Sequence, residues 1–151
     1  MTTDAAAAYR GGRERIADML RQLGDRAEST EVPASPGWTP KDVVGHLTGV
    51  CADILAGRVD AVATDPWTEA QVEERRAKPL EAVLAEWEHV GARVEALLPS
   101  LPEWAANQLI SDLLSHEHDL ADALELRAAH HRASVVAEFG DAKMCQTAIA
   151  S

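Results

Sequence analysis

The sequence predicts an all-α protein, an antiparallel four-helix bundle, on three observations. Apolar residues recur at spacings of three and four along four separate stretches, the period of a helix with one buried face. Almost no stretch shows the β-branched alternation of a half-buried strand. The stretches are parted by loop segments such as ESTEVPASPGW and PSLPEW, whose prolines, glycine and small polar residues favour turns.

The first helix is read from Asp4, its N-cap, to Gly24, with Tyr9, Ile16, Met19, Leu20 and Leu23 on one face and Gly11 and Gly12 weakening its middle. The second begins at Thr39 as N-cap, with Pro40 in the first turn and Asp42 at the third position, a capping box with Asp in place of Glu. It is read to about Ala63, with a stripe of Val43, Val44, Leu47, Val50, Ile54 and Leu55. Residues 66–77, PWTEAQVEERRA, read as a charged helical arm that Pro79 breaks. The third long helix, Pro79 to Leu98, buries Leu80, Val83, Leu84, Trp87, Gly91, Val94 and Leu98. The fourth, from about Ala105 to Leu126, turns Leu109, Leu113, Leu114, Leu120, Ala121 and Leu124 inward. Residues 1–128 are therefore expected to form the bundle, and 129–151 a C-terminal tail, as a short helix or disordered, with no function assigned.

Composition narrows the function. A chain of 151 residues makes one domain, long enough to hide roughly two-thirds of its unfolded surface. With 14 Lys plus Arg against 25 Asp plus Glu, the formal net charge is -11. Such a chain lacks the concentrated positive charge that a nucleic-acid backbone requires, so no nucleic-acid partner is expected. Its apolar runs are broken by charge, and its N-terminus lacks a basic-then-apolar layout, so neither a membrane span nor a secretory peptide is expected and the location is read as cytoplasmic. Two isolated cysteines, Cys51 and Cys145, are too few for a disulfide framework or a cysteine zinc site.

The chemistry concentrates in the histidines. At about 100° per residue, His46 falls beside Val50 at the edge of the second helix's apolar stripe, facing a neighbour. On the fourth helix, Asp112 and His116 are four residues apart on one face, and Asp119 lies about 60° further round on the same flank. One helix thus offers a carboxylate and an imidazole, and another brings a second imidazole. This N/N/O set with an open position suits zinc and, less selectively, nickel, manganese or iron. His89 and His118 point away from the core, and His130 and His131 belong to the tail. Asp42 also precedes His46 by four residues, but its place in the first helical turn makes it a capping residue. Glu117 lies near the apolar face, open to an arginine, a partner interface or the metal, and Cys51 reads as a small core residue. No Gly-rich phosphate loop, Ser/His/Asp order or paired thiol motif competes with this set.

The stretch PGWTPKDVVGHLTGVCADILAG resembles the W-T-x-x-D-V-x-x-H-L segment of the mycothiol-dependent maleylpyruvate isomerase N-terminal domain family, within the DinB-like four-helix superfamily. DLLSHEHDLADAL is similar to that family's E-x3-H-x2-D-L-A motif, with Asp112 where the motif has Glu. The resemblance covers about residues 5 to 127. It implies His46, Asp112 and His116 as metal ligands, Asp119 as an outer or structural carboxylate, zinc as the ion, mycothiol as thiol cofactor and an actinobacterial source. The isomerase it resembles carries a further C-terminal domain. A thiol entering the open position would be held as thiolate and attack an electrophile, in transfer or isomerisation chemistry. The partners expected are that thiol, an electrophilic substrate and, through a helix face, a second copy as homodimer. The alternatives are a noncatalytic small-molecule-binding protein and a purely structural dimeric bundle.

Overall fold

Among the described residues, five α-helices follow from the capping and breaking residues of the sequence. A computed structural model describes the backbone of residues 2–58 and 65–139 and the side chains of 5–58, 66 and 68–124. The helices are α1 (Thr2–Leu23), α2 (Pro40–Leu55), α3 (Asp65–Arg76), α4 (Leu80–Leu97) and α5 (Glu103–Phe139). Short 3-10 turns at Gly24–Glu28 and Leu98–Ser100 follow α1 and α4. The described residues form an all-α bundle, and their single β-type pairing is an isolated bridge between Val32 and Ser35 in the loop before α2.

The core forms where the apolar stripes meet. Tyr9, Ile16, Leu20 and Leu23 of α1 join Val43, Val44, Leu47 and Cys51 of α2, Val83, Leu84, Trp87 and Val94 of α4, and Leu113 and Leu120 of α5. Helix α2 is the most enclosed: all residues from Pro40 to Cys51 are buried. Its start is fixed by the expected capping box, in which the Thr39 hydroxyl accepts from the Asp42 amide at 3.2 Å and the Asp42 carboxylate accepts from the Thr39 amide at 3.0 Å. Helix α1 packs on α5 and α4, and α2 packs on α4 and α3.

Several boundaries and packing roles differ from expectation. Asp4 lies inside α1, which starts at Thr2. Helix α2 ends at Leu55, not near Ala63, because Gly57 takes a positive φ of 78°, a helix-terminating conformation that glycine adopts without steric cost. The expected course through residues 59–64 lies outside the described residues. Helix α5 continues beyond Leu126 to Phe139, through a stretch with neither glycine nor proline. The role of residues 140–151, Cys145 included, lies outside the described residues, as do the side chains of His130 and His131. Gly12 marks close approach rather than weakness: a Cβ there would meet Leu113 Cδ2 at 2.8 Å. Leu114, expected inward, is 41% exposed.

The charged arm is a packed element. Gln71, Val72 and Arg75 of α3 are all buried. Arg75 donates to both carboxylate oxygens of Glu86 on α4, at 3.1 and 2.7 Å, while Lys41 of α2 donates to the Arg76 carbonyl at the end of α3 at 2.9 Å. Thus α3 is fastened to two neighbours, and it reaches the face of α2 that carries His46.

Candidate metal centre

Helices α2 and α5 supply the site. His46 stands one turn beyond the capping box, in the enclosed part of α2, and is only 8% exposed. Asp112 and His116 occupy successive turns of α5 on the flank facing α2. The structure brings these three together: one ligand atom from each lies within 4.8 Å of the other two. Asp112 bridges the pair, with Oδ2 3.9 Å from His46 Nε2 and Oδ1 3.5 Å from His116 Nε2. Both separations exceed an ordinary N–H···O hydrogen bond. The two imidazoles meet edge to face, with ring centroids 5.3 Å apart.

The donor set fits a divalent ion. Three groups converge without satisfying one another, and His116 Nδ1 is buried with no hydrogen-bond partner among the described residues. Ligand atoms about 2.1 Å from a tetrahedral ion stand about 3.4 Å apart, so modest side-chain rotation would draw this cluster onto one. The shorter Asp112 side chain does not keep its carboxylate from the group. Burial holds the His46 imidazole below the usual histidine range and His116 adds to that, together outweighing the opposing effects of Gln71 and Asp112. A neutral imidazole is the form that binds metal.

The site opens into a cavity of about 380 Å³. Trp38, Val50 and Leu109 give it apolar walls, and Ser35, Thr68 and Gln108 add uncharged polar groups. The Trp38 ring leans on His46 at 5.6 Å between centroids. Such a pocket, apolar with a few convergent polar atoms, has the character of a small-molecule site.

The remaining expectations sort cleanly. His89 is exposed. His118 is exposed and stands 3.2 Å from Asp122 on its own helix. Glu117 takes the arginine alternative, accepting from Arg15 of α1 at 2.6 and 3.0 Å. Cys51 is a core residue, 2.9 Å from the Tyr9 hydroxyl, and burial pushes its thiol up to about 11, despite the opposing bond to Tyr9. Asp119 stands outside the three-residue cluster. Among the described residues the outer contacts of the site come instead from α3. His46 Nδ1 lies 2.8 Å from Gln71 Oε1, and Gln71 Nε2 donates to Asp53 Oδ2 at 2.8 Å. Sequence periodicity missed Gln71 and Asp53 because they lie on a short charged helix and on the last turn of α2. The signal that could have found them is the pair Gly45 and Gly49, four residues apart beside His46, where a neighbouring helix can approach closely.

Fold and site together define a helical bundle with two histidines and one carboxylate, grouped so that they could hold a metal ion at the floor of a cavity. Residues 9–128 match the family described as the mycothiol maleylpyruvate isomerase N-terminal domain, and the chain belongs to that family. Comparison with curated proteins and with solved structures finds no match. No helix among the described residues is long and apolar enough to cross a membrane.

Proposed function

We propose that this protein holds a divalent ion, zinc by the chemistry of its donors, through His46, Asp112 and His116, and presents a small thiol to an electrophile as a thiol S-transferase or isomerase. The observation that carries this reading is the convergence of a neutral buried imidazole, a second imidazole with an orphaned nitrogen and a carboxylate at one end of an apolar cavity. Membership of a family whose description names mycothiol supports that thiol as the cofactor. A DinB-like arrangement of the four long helices accords with the same membership.

A divalent ion in this set would supply the Lewis acidity that keeps a thiol ionised at neutral pH. The chain's own residues hold and shield the site. The two imidazoles and the one carboxylate leave room beside them for a further donor. Trp38, Val50 and Leu109 exclude water, and Ser35, Thr68 and Gln108 offer polar atoms that orient a small molecule. Cys51 takes no part, because its buried thiol stays protonated. In both reactions the sulfur electron pair forms a bond to carbon and the thiol proton passes to solvent. In transfer, a leaving group departs with its bonding pair. In isomerisation, the π electrons of an activated double bond move onto the activating group and the carbon–carbon bond rotates; those electrons then re-form the double bond as the carbon–sulfur pair leaves with sulfur, which regains its proton from solvent.

The test is elemental analysis of untagged protein, followed by zinc titration and a turnover assay with mycothiol and an activated alkene or alkyl halide. One zinc per chain, lost in the His46→Ala/His116→Ala double variant, together with turnover that requires the thiol, is the expected result. Absence of stoichiometric divalent metal after titration overturns the site. Zinc binding without thiol-dependent turnover overturns the enzymatic reading and leaves a noncatalytic binding protein.

A further inference from the structure

We infer that Gln71 is a positioning residue for this centre: seated against Gly49 and oriented by Asp53, its amide fixes the His46 ring with Nδ1 protonated and Nε2 bare toward Asp112 and His116. The purpose of that arrangement rests on the metal-binding reading above, while the arrangement itself can be measured without metal.

Asp53 sets the direction of the hydrogen bonds that lead to His46. A carboxylate only accepts hydrogen bonds, so the Gln71 group 2.8 Å from Asp53 Oδ2 must be the NH2 end of the amide. The carbonyl end then faces His46. An amide oxygen also only accepts, so His46 Nδ1, 2.8 Å away, must carry the proton and donate it. In a neutral imidazole that leaves Nε2 as a lone pair, and Nε2 is the atom that stands 3.9 Å from Asp112 Oδ2. The chain of bonds continues outward, because Arg58 donates to the other Asp53 oxygen at 3.0 and 3.3 Å. Gln71 and Asp53 are 3% and 5% exposed, so neither can readily exchange its partner for water.

Gly49 makes the reach available. A Cβ at that position would lie 2.5 Å from both Cβ and Cγ of Gln71, and that Gln71 Cβ is fixed by the α3 backbone and cannot swing clear. The space that a side chain at residue 49 would occupy is filled by the Gln71 stem as it runs toward His46. Helix α3 therefore serves the site from behind, although it contributes no ligand. Partners of this kind fix the tautomer and ring orientation of a metal-binding histidine and raise its basicity.

The experiment reads two quantities on the full chain. Ring 15N shifts of the histidines in metal-free protein report the tautomer, and competition with a chromophoric chelator reports zinc affinity. The wild type is expected to show His46 protonated at Nδ1. Gln71→Leu is expected to lose that preference and to weaken zinc about 10- to 100-fold, and Gly49→Ala to shift both readouts in the same direction. Asp53→Asn alone lets the amide turn its NH2 toward His46 and favours the opposite tautomer. The pair Gln71→Glu/Asp53→Asn reverses the polarity of the contact: the new carboxylate accepts from both His46 and residue 53, so the wild-type tautomer and affinity return. A wild-type His46 protonated at Nε2 overturns the inference, as does a Gln71→Leu variant unchanged in both readouts. Should Gln71→Leu fail to fold, the reversed pair decides, and its failure to restore the tautomer is the overturning result. If wild-type protein binds no zinc, the metal reading falls, and the 15N spectrum still decides the role of Gln71.

Discussion

Asp112 and Cys51 show how one fold assigns opposite fates to two reactive side chains. Asp112 sits half-open between two imidazoles, close enough to each to share a cation and too far to hydrogen-bond well with either. Asp112→Ala should therefore cost zinc more than the ~10- to 100-fold expected of a supporting residue, whereas Asp112→Glu, which restores the residue of the family motif, should keep stoichiometric binding; chelator competition measures both. Cys51 is sealed against Tyr9, and burial raises its thiol to about 11, so its reactive thiolate is scarce at neutral pH. Iodoacetamide should label Cys51 only when the chain is unfolded, which peptide mass spectrometry of native and denatured samples reads directly.

Among the elements, α2 carries the site and α3 braces it. The capping box places the first turn of α2 and, with it, His46 one turn later; Thr39→Ala should lower stability by about 1 kcal/mol, measured by denaturant unfolding. Helix α3 is braced by Arg75 on Glu86. Burial acts to raise the Glu86 carboxyl, and the Arg75 and Lys78 contacts outweigh it, holding the group below its ordinary value of 4.5. A carboxylate held low contributes stability that is fully present above its unfolded value and is lost as pH falls through its lower folded value. Wild-type stability should thus fall more steeply than that of Glu86→Gln on acidification below about pH 4.5, in unfolding curves taken across that range. The same elements explain what the sequence made legible. Thr39, Pro40 and Asp42 announce α2 because capping is local, and His46, Asp112 and His116 emerge from helical period plus motif. Gln71 does not, since EAQVEERR reads as part of a charged helical arm; its stem is seated against Gly49 of another helix. Gly57 held the signal for the end of α2: the apolar stripe read for that helix already stops at Leu55, two residues before it.

At the scale of the whole molecule, the two halves of the site belong to elements with little else in common. Helix α5 packs chiefly on α1, and α2 packs chiefly on α4 and α3, so the direct contact between α2 and α5 is slight, and the cluster of His46, Asp112 and His116 spans it. An ion held there would tie the α1–α5 pair to the α2–α3–α4 group. Binding to the folded chain alone shifts the unfolding equilibrium by RT ln(1 + [L]/Kd), about 2.7 kcal/mol when the free ion is at 100 times its Kd. For a chain of 151 residues, each kcal/mol moves the midpoint by about 2–4 °C, so saturating zinc should raise Tm by roughly 5 to 10 °C. The rise should grow with zinc concentration in differential scanning calorimetry, vanish in the His46→Ala/His116→Ala variant, and reverse on addition of a chelator. Zinc that bound only at surface carboxylates would stabilise the double variant equally, and that result would place the ion elsewhere on this acidic molecule.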